Sequence, residues 1–145
     1  MGNLKHSHLI VQELKTPPFS PDKVAEYAKF ATRVLWMDKN VVDGAFQMNC
    51  AWYLKPNSHI SIAHTHTTDE LIGFFGSNPD DPYNLRAEIE FWLEDEKYIL
   101  TKSSLIFIPK GMKHCPLITK QVDSPIFHFS ILKDGIYKAI KNNQQ

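Results

Sequence analysis

Between residues 46 and 132 the apolar residues of this chain recur with a period of two, which confines that stretch to short strands. Phe46, Met48, Cys50 and Trp52 alternate with Gln47, Asn49, Ala51 and Tyr53, describing one strand with two different faces. Further strands are expected over 59–65, 70–75, 87–93, 98–101, 105–108 and 126–132. Between them stand turn signals: Lys55-Pro56-Asn57-Ser58, the Gly/Asn/Pro/Asp-rich run at 76–82, and the charged hairpin tip at 94–97. Many short strands joined by turns predict an all-β sandwich or barrel.

The N-terminal part reads differently. Ser20-Pro21-Asp22 is a helix start, with a capping hydroxyl, proline at the first helical position and an acid in the first turn. Val24, Tyr27, Ala28, Ala31, Val34 and Leu35 follow at helical spacing, so a helix is expected over about 21–36. The chain is thus expected to form one domain: an arm and helix over 1–40 packed on a barrel, the barrel over 41–135, and a polar tail over 136–145. The helix must bury its apolar face on the outside of the barrel or against a second copy, and a homodimer is expected.

Composition excludes several classes. In 145 residues, 16 Lys plus Arg balance 16 Asp plus Glu, so no basic excess suits a nucleic-acid partner. No apolar run approaches the roughly 18 residues that a membrane helix needs. The N-terminus lacks the apolar core of a secretory signal, and the two cysteines, Cys50 and Cys115, make no disulfide framework. A reduced, cytoplasmic protein is expected.

The chemistry concentrates in His64-Thr65-His66-Thr67-Thr68-Asp69-Glu70. On a helix His64 and His66 would point about 200° apart, whereas on a strand 64, 66 and 70 share one parity and one face. A turn inside 67–69 would break that count but could still fold Glu70 back beside the histidines. Imidazole plus carboxylate is a ligand set for Fe, Mn, Ni, Zn or Co. A second segment, Pro109-Lys110-Gly111-Met112-Lys113-His114, ends one strand, turns on glycine and starts the next element with a histidine. His6-Ser7-His8 is also His-x-His, but no glutamate sits four residues beyond His8 and no second motif serves it.

In these two segments the chain resembles the cupin superfamily. Its first motif, His-x-His, three or four residues, then Glu, is met by His64, His66 and Glu70. Its second, Pro-x-Gly-x-x-His, is met by Pro109, Gly111 and His114. The resemblance spans about residues 44–132 and implies a jelly-roll β-barrel with His64, His66, Glu70 and His114 around one divalent metal ion inside it. The departures fall on turn and packing positions: Ser58, Ser103 and Ile118 replace residues usual in the motifs, and Gly76 comes one place early.

Four protein ligands on an octahedral ion leave positions for a small polar molecule. The resemblance thus implies a dioxygenase, isomerase or decarboxylase of a carboxylate, enol or sugar-derived acid; the alternative is a non-catalytic binding or sensing module with a structural metal. Glu70 is a candidate base, and Gln47, Tyr53 and His128 are candidates to orient a bound acid. The loop at 77–86 is expected to cover the opening. Asp69 and His59 are expected outside, and Cys115, Trp92 and Phe107 in the packing.

Overall fold

The computed structural model describes residues 4–15 and 17–141, and of His59 the backbone alone. After a 3₁₀ turn at Ser7–Leu9 the order is α1 (Pro21–Ala28), β1 (Ala31–Met37), β2 (Gln47–Tyr53), β3 (Asn57–Ser61), β4 (His64–Thr65) and β5 (Glu70–Gly76). There follow β6 (Asn84–Leu93), β7 (Glu96–Lys102), β8 (Ser104–Ile108), β9 (His114–Val122), β10 (Ile126–Leu132) and β11 (Ile140–Lys141). They form two antiparallel sheets. One has the order β1-β2-β10-β5-β8; the other has the order β11-β4-β9-β6-β7, with β3 also paired to β9. Apart from the consecutive pairs β1–β2 and β6–β7, neighbours in each sheet are distant in sequence, as in a jelly roll.

The helix begins where expected: Ser20 accepts a hydrogen bond from the Lys23 amide, and Pro21 and Asp22 open the first turn. It does not run to residue 36. It ends at Ala28, and residues 31–37 are β1, paired to β2. The reason is a β-bulge at Val34. Arg33 stands opposite Ala51 and Leu35 opposite Cys50, so one extra residue shifts the parity. The bulge turns a strict alternation into a mixed spacing that imitates a helix. The expected 1–40 segment is therefore not arm and helix alone, because Ala31–Met37 is an integral strand.

The expected polar tail is corrected too. Residues 140–141 pair with β4, the strand that carries His64. So is the loop after β5. That strand runs away from Glu70 for its whole length, roughly 20 Å at about 3.3 Å per residue, and delivers 77–83 to the far end of the barrel. There Ser103 ties it down, donating its hydroxyl to the Pro82 carbonyl and its amide to that of Tyr83. The loop does not cover the end that holds Glu70.

Strand β2 carries its more polar residues inward and its apolar ones outward. Gln47, Asn49, Ala51 and Tyr53 are the buried positions of β2, while Met48, Cys50 and Trp52 lie on the other face. Phe107, expected in the core, is on that outer face and 61% exposed. At Gly73 a side chain would strike the ring of Phe129, which lies over this position from the neighbouring strand. The apolar core joins Tyr53, Phe74 and Ile126 to Leu85, Ile89, Phe91 and Leu117 of the facing sheet, and reaches Ile108 and Cys115 beside Glu70 and His114.

His128 belongs to this core. Its ring is stacked between Tyr53 (4.7 Å) and Phe74 (5.0 Å), and its Nδ1 lies 3.2 Å from the Gly73 carbonyl. Burial pushes its pKa down to about 4. The unfolded chain thus takes up a proton between about pH 6.5 and 4 that the folded chain refuses, and stability falls as the pH drops through that window. His128→Phe should lessen the loss between pH 7 and pH 5 by about 2 kcal/mol, read by urea denaturation of the metal-free protein at both pH values.

Candidate metal centre

Four side chains meet where the two sheets approach each other. β4 and β9 place His64 directly opposite His114 in the second sheet. The chain then crosses between sheets through 66–69, so Glu70 faces the histidines from the start of β5 in the first sheet, with His66 in the crossing. The sequence reaches this by a turn, not by one strand through 64–70. Asp69 makes the turn: its carboxylate accepts the Lys110 amide at 2.9 Å, and the Gly111 amide donates to the His66 carbonyl at 2.9 Å. Gly111 can do so at a φ of +81°, a conformation that favours glycine. The two motifs are thereby fastened to each other through their backbones.

His66, Glu70 and His114 have ligand atoms within 4.8 Å of one another. His64 joins His114 and Cys115 in a second such trio, and its ring centroid is 4.8 Å from that of His66 and 4.3 Å from that of His114. Burial pushes the Cys115 thiol up to about 12, so it stays protonated and packs with the core. His6 and His8 are exposed on the N-terminal arm and join no such group among the described residues.

Protons decide what this cluster can bind. The Nδ1 of His64 lies 2.6 Å from the Ile62 carbonyl, that of His66 2.6 Å from the Lys138 carbonyl, and that of His114 3.0 Å from the Met112 carbonyl. A carbonyl only accepts, so each Nδ1 carries the hydrogen and each neutral ring keeps a bare lone pair on Nε2. His66 Nε2 and His114 Nε2 lie 3.3 and 3.0 Å from Glu70 Oε1, yet none of these three buried atoms has a hydrogen-bond partner.

Burial would raise the Glu70 carboxyl, but hydrogen bonds and charge from His114 and His66, when a proton sits on their Nε2 atoms, outweigh that and hold it at about 2. Burial pushes His66 down, and the Glu70 carboxylate overcomes it, raising His66 above its ordinary value. Burial takes His64 down to about 4. A proton on one Nε2 would pair that atom with Glu70 and leave the others unsatisfied; a divalent cation satisfies them together. The donor set therefore fits a metal ion.

The C-terminal segment completes the centre. Besides the Lys138 carbonyl on His66, the ring of Tyr137 stands 5.6 Å from that of His66, and Thr65 donates to the Ile140 carbonyl. Phe19 of the N-terminal arm packs edge-on against both Tyr137 and Trp36. Sequence reading missed Tyr137, although Ile136, Tyr137 and Ile140 are an apolar signal in a segment taken as polar. The role of the Lys138 carbonyl has no sequence signature, since any residue but one of wrong backbone shape supplies it. Gln47, Tyr53 and His128 all face inward, but Tyr53 and His128 are in the aromatic core and only Gln47 shares the cross-sheet row of Glu70, with Leu132 between them.

Comparison with known proteins agrees with this architecture. The sequence matches no protein-family model and no curated protein. An oxalate oxidase structure aligns with a TM-score of 0.56 at 11% identity over 97% of this chain and 66% of its own. A recombinant oxalate oxidase in complex with glycolate aligns with a TM-score of 0.54 at 11% identity over 92% and 63%. A cupin protein from Bacteroides fragilis aligns over 93% of this chain and 90% of its own, at 16% identity and a TM-score of 0.47. The chain thus spans less than two thirds of the length of the two oxalate oxidase chains. At these identities the likeness is one of fold: the chain has the cupin-type jelly roll.

Removing residues 136–145 should weaken Co(II) binding by roughly 10- to 100-fold, the usual effect of losing a group that orients a ligand imidazole. Competition titration of the truncated and full chains against a chromophoric chelator measures it.

Proposed function

We propose that the chain holds one divalent metal ion through His64, His66, Glu70 and His114 and is a metal-dependent enzyme acting on a small polar acid. The observation that carries this is the set of buried, unpartnered atoms on His66, Glu70 and His114. Buried polar atoms are almost always paired, and one cation pairs all of these at once. When bound, such an ion supplies Lewis-acid polarisation of a substrate oxygen and, for a redox-active metal, oxygen activation.

The residues of the chain do the rest. Three backbone carbonyls keep the imidazoles in the ligand tautomer. Glu70 is ionised at neutral pH and brings the one negative charge to the site, so the charge of a metal–acid pair is partly balanced before substrate arrives. Tyr137 and Phe19 wall the centre on the side of the two termini. The fold is shared with an oxalate oxidase seen with glycolate, and small acids of that kind are the substrate class proposed; dioxygenase, isomerase and decarboxylase chemistry all fit this donor set. A homodimer and a cytoplasmic location belong to the same proposal; among the described residues no helix is long and apolar enough to cross a membrane.

His64→Ala, His66→Ala and His114→Ala should each lower bound metal in the purified protein by at least roughly tenfold, while His6→Ala and His8→Ala leave it unchanged. Elemental analysis checks this, and a full metal complement in His66→Ala would refute the assignment. Turnover of small acids by the metal-loaded chain, absent from the metal-free chain, tests the enzymatic part.

A further inference from the structure

We propose that Gln47 is the ligand-orienting group of this centre, its amide reading a small metal-bound molecule that offers both a hydrogen-bond acceptor and a donor, such as a 2-hydroxy carboxylate. This rests on the metal reading above and adds to it a substrate class. Gln47 is 0% exposed, and neither its Nε2 nor its Oε1 has a partner among the described residues. Apart from these two, the buried side-chain atoms in that state belong to His66, Glu70 and His114. The metal accounts for the latter and leaves the amide unexplained.

A polar interior does not account for it either. Asn49 lies two residues along on the same face, and its amide is paired on both sides, accepting from Arg33 at 2.6 Å and donating to the Tyr27 hydroxyl at 3.2 Å. Gln47 stands opposite Leu132, and Leu132 opposite Glu70. Two strand spacings, roughly 10 Å, separate the backbones of Gln47 and Glu70, with the buried Leu132 side chain on the same face between them, so a molecule touching both has to lie over Leu132 toward the barrel interior. Nε2 donates and Oε1 accepts, so a simple carboxylate pairs one end of the amide and a hydroxy acid pairs both.

The test uses the full chain loaded with Co(II), whose visible spectrum reports ligands, titrated with glycolate and with acetate. Wild type should prefer glycolate. Gln47→Met keeps the volume and removes the unpaired atoms, so it should bind Co(II) as before, lose roughly tenfold in glycolate affinity with little change for acetate, and melt higher without metal. Gln47→Leu provides the same comparison if the methionine variant misfolds. Unchanged glycolate affinity in a variant that still holds Co(II) would overturn the proposal, and a lower melting temperature with it would assign the amide to buried water. A wild-type chain that takes no Co(II) would instead sink the metal reading, before any variant is made.

Discussion

The centre depends on where three protons sit. Each histidine of the cluster has its Nδ1 against a backbone carbonyl, so the three Nε2 atoms are acceptors before any ligand arrives. Acceptors converging on a carboxylate repel one another, the more strongly for being buried. The carbonyls come from unrelated places: the strand entry at Ile62, the strand turn at Met112 and the C-terminal segment at Lys138. Much of the topology can be read as the means of bringing those carbonyls to one point. The pairing of β11 with β4 is the clearest case, since it brings the C-terminal segment that carries the Lys138 carbonyl alongside the ligand strand.

How much of this a sequence reveals follows from which atoms do the work. Side chains announce themselves by type and spacing, so the cluster of His64, His66, Glu70 and His114 was legible as a group that the fold brings together, as was the β character of residues 46–132. Backbone contributions were not, because a carbonyl is common to all residues. The helix expected to residue 36 failed for a related reason. A bulge adds one residue, Val34, and one residue is enough to turn period two into a pattern with helical spacing. The loop at 77–86 was placed at the opening by its nearness in sequence to Glu70, but a full strand lies between them, and a strand carries the chain to the other end of a barrel.

The first sheet also inverts the usual reading of alternation. In β2 the apolar set, Met48, Cys50 and Trp52, points outward and the more polar set, with Gln47 and Asn49, points inward. For an ordinary strand the apolar parity would be the core parity. Here the interior holds a site at one end, so polar residues are wanted inside, and the apolar residues outside mark a surface that water alone does not satisfy. Phe107 illustrates it: a phenylalanine in a strand reads as core, and here it is among the most exposed side chains of its sheet.

These two halves of the barrel divide the work. The end built on Tyr53, Phe74, Leu85, Ile89 and Ile126 is closely packed and apolar, and His128 fits there as a neutral ring between two aromatics. The end holding Glu70 keeps unpaired polar atoms that would be a liability in a structural core. A domain tolerates such a group of atoms only where its stability comes from elsewhere, and the aromatic end supplies that. The separation also frees the site from a structural duty. A zinc site that folds a protein is closed by its ligands. On the metal reading proposed above, the unpaired amide of Gln47, in the same cross-strand row as Glu70, marks the side on which a small molecule would complete the coordination sphere.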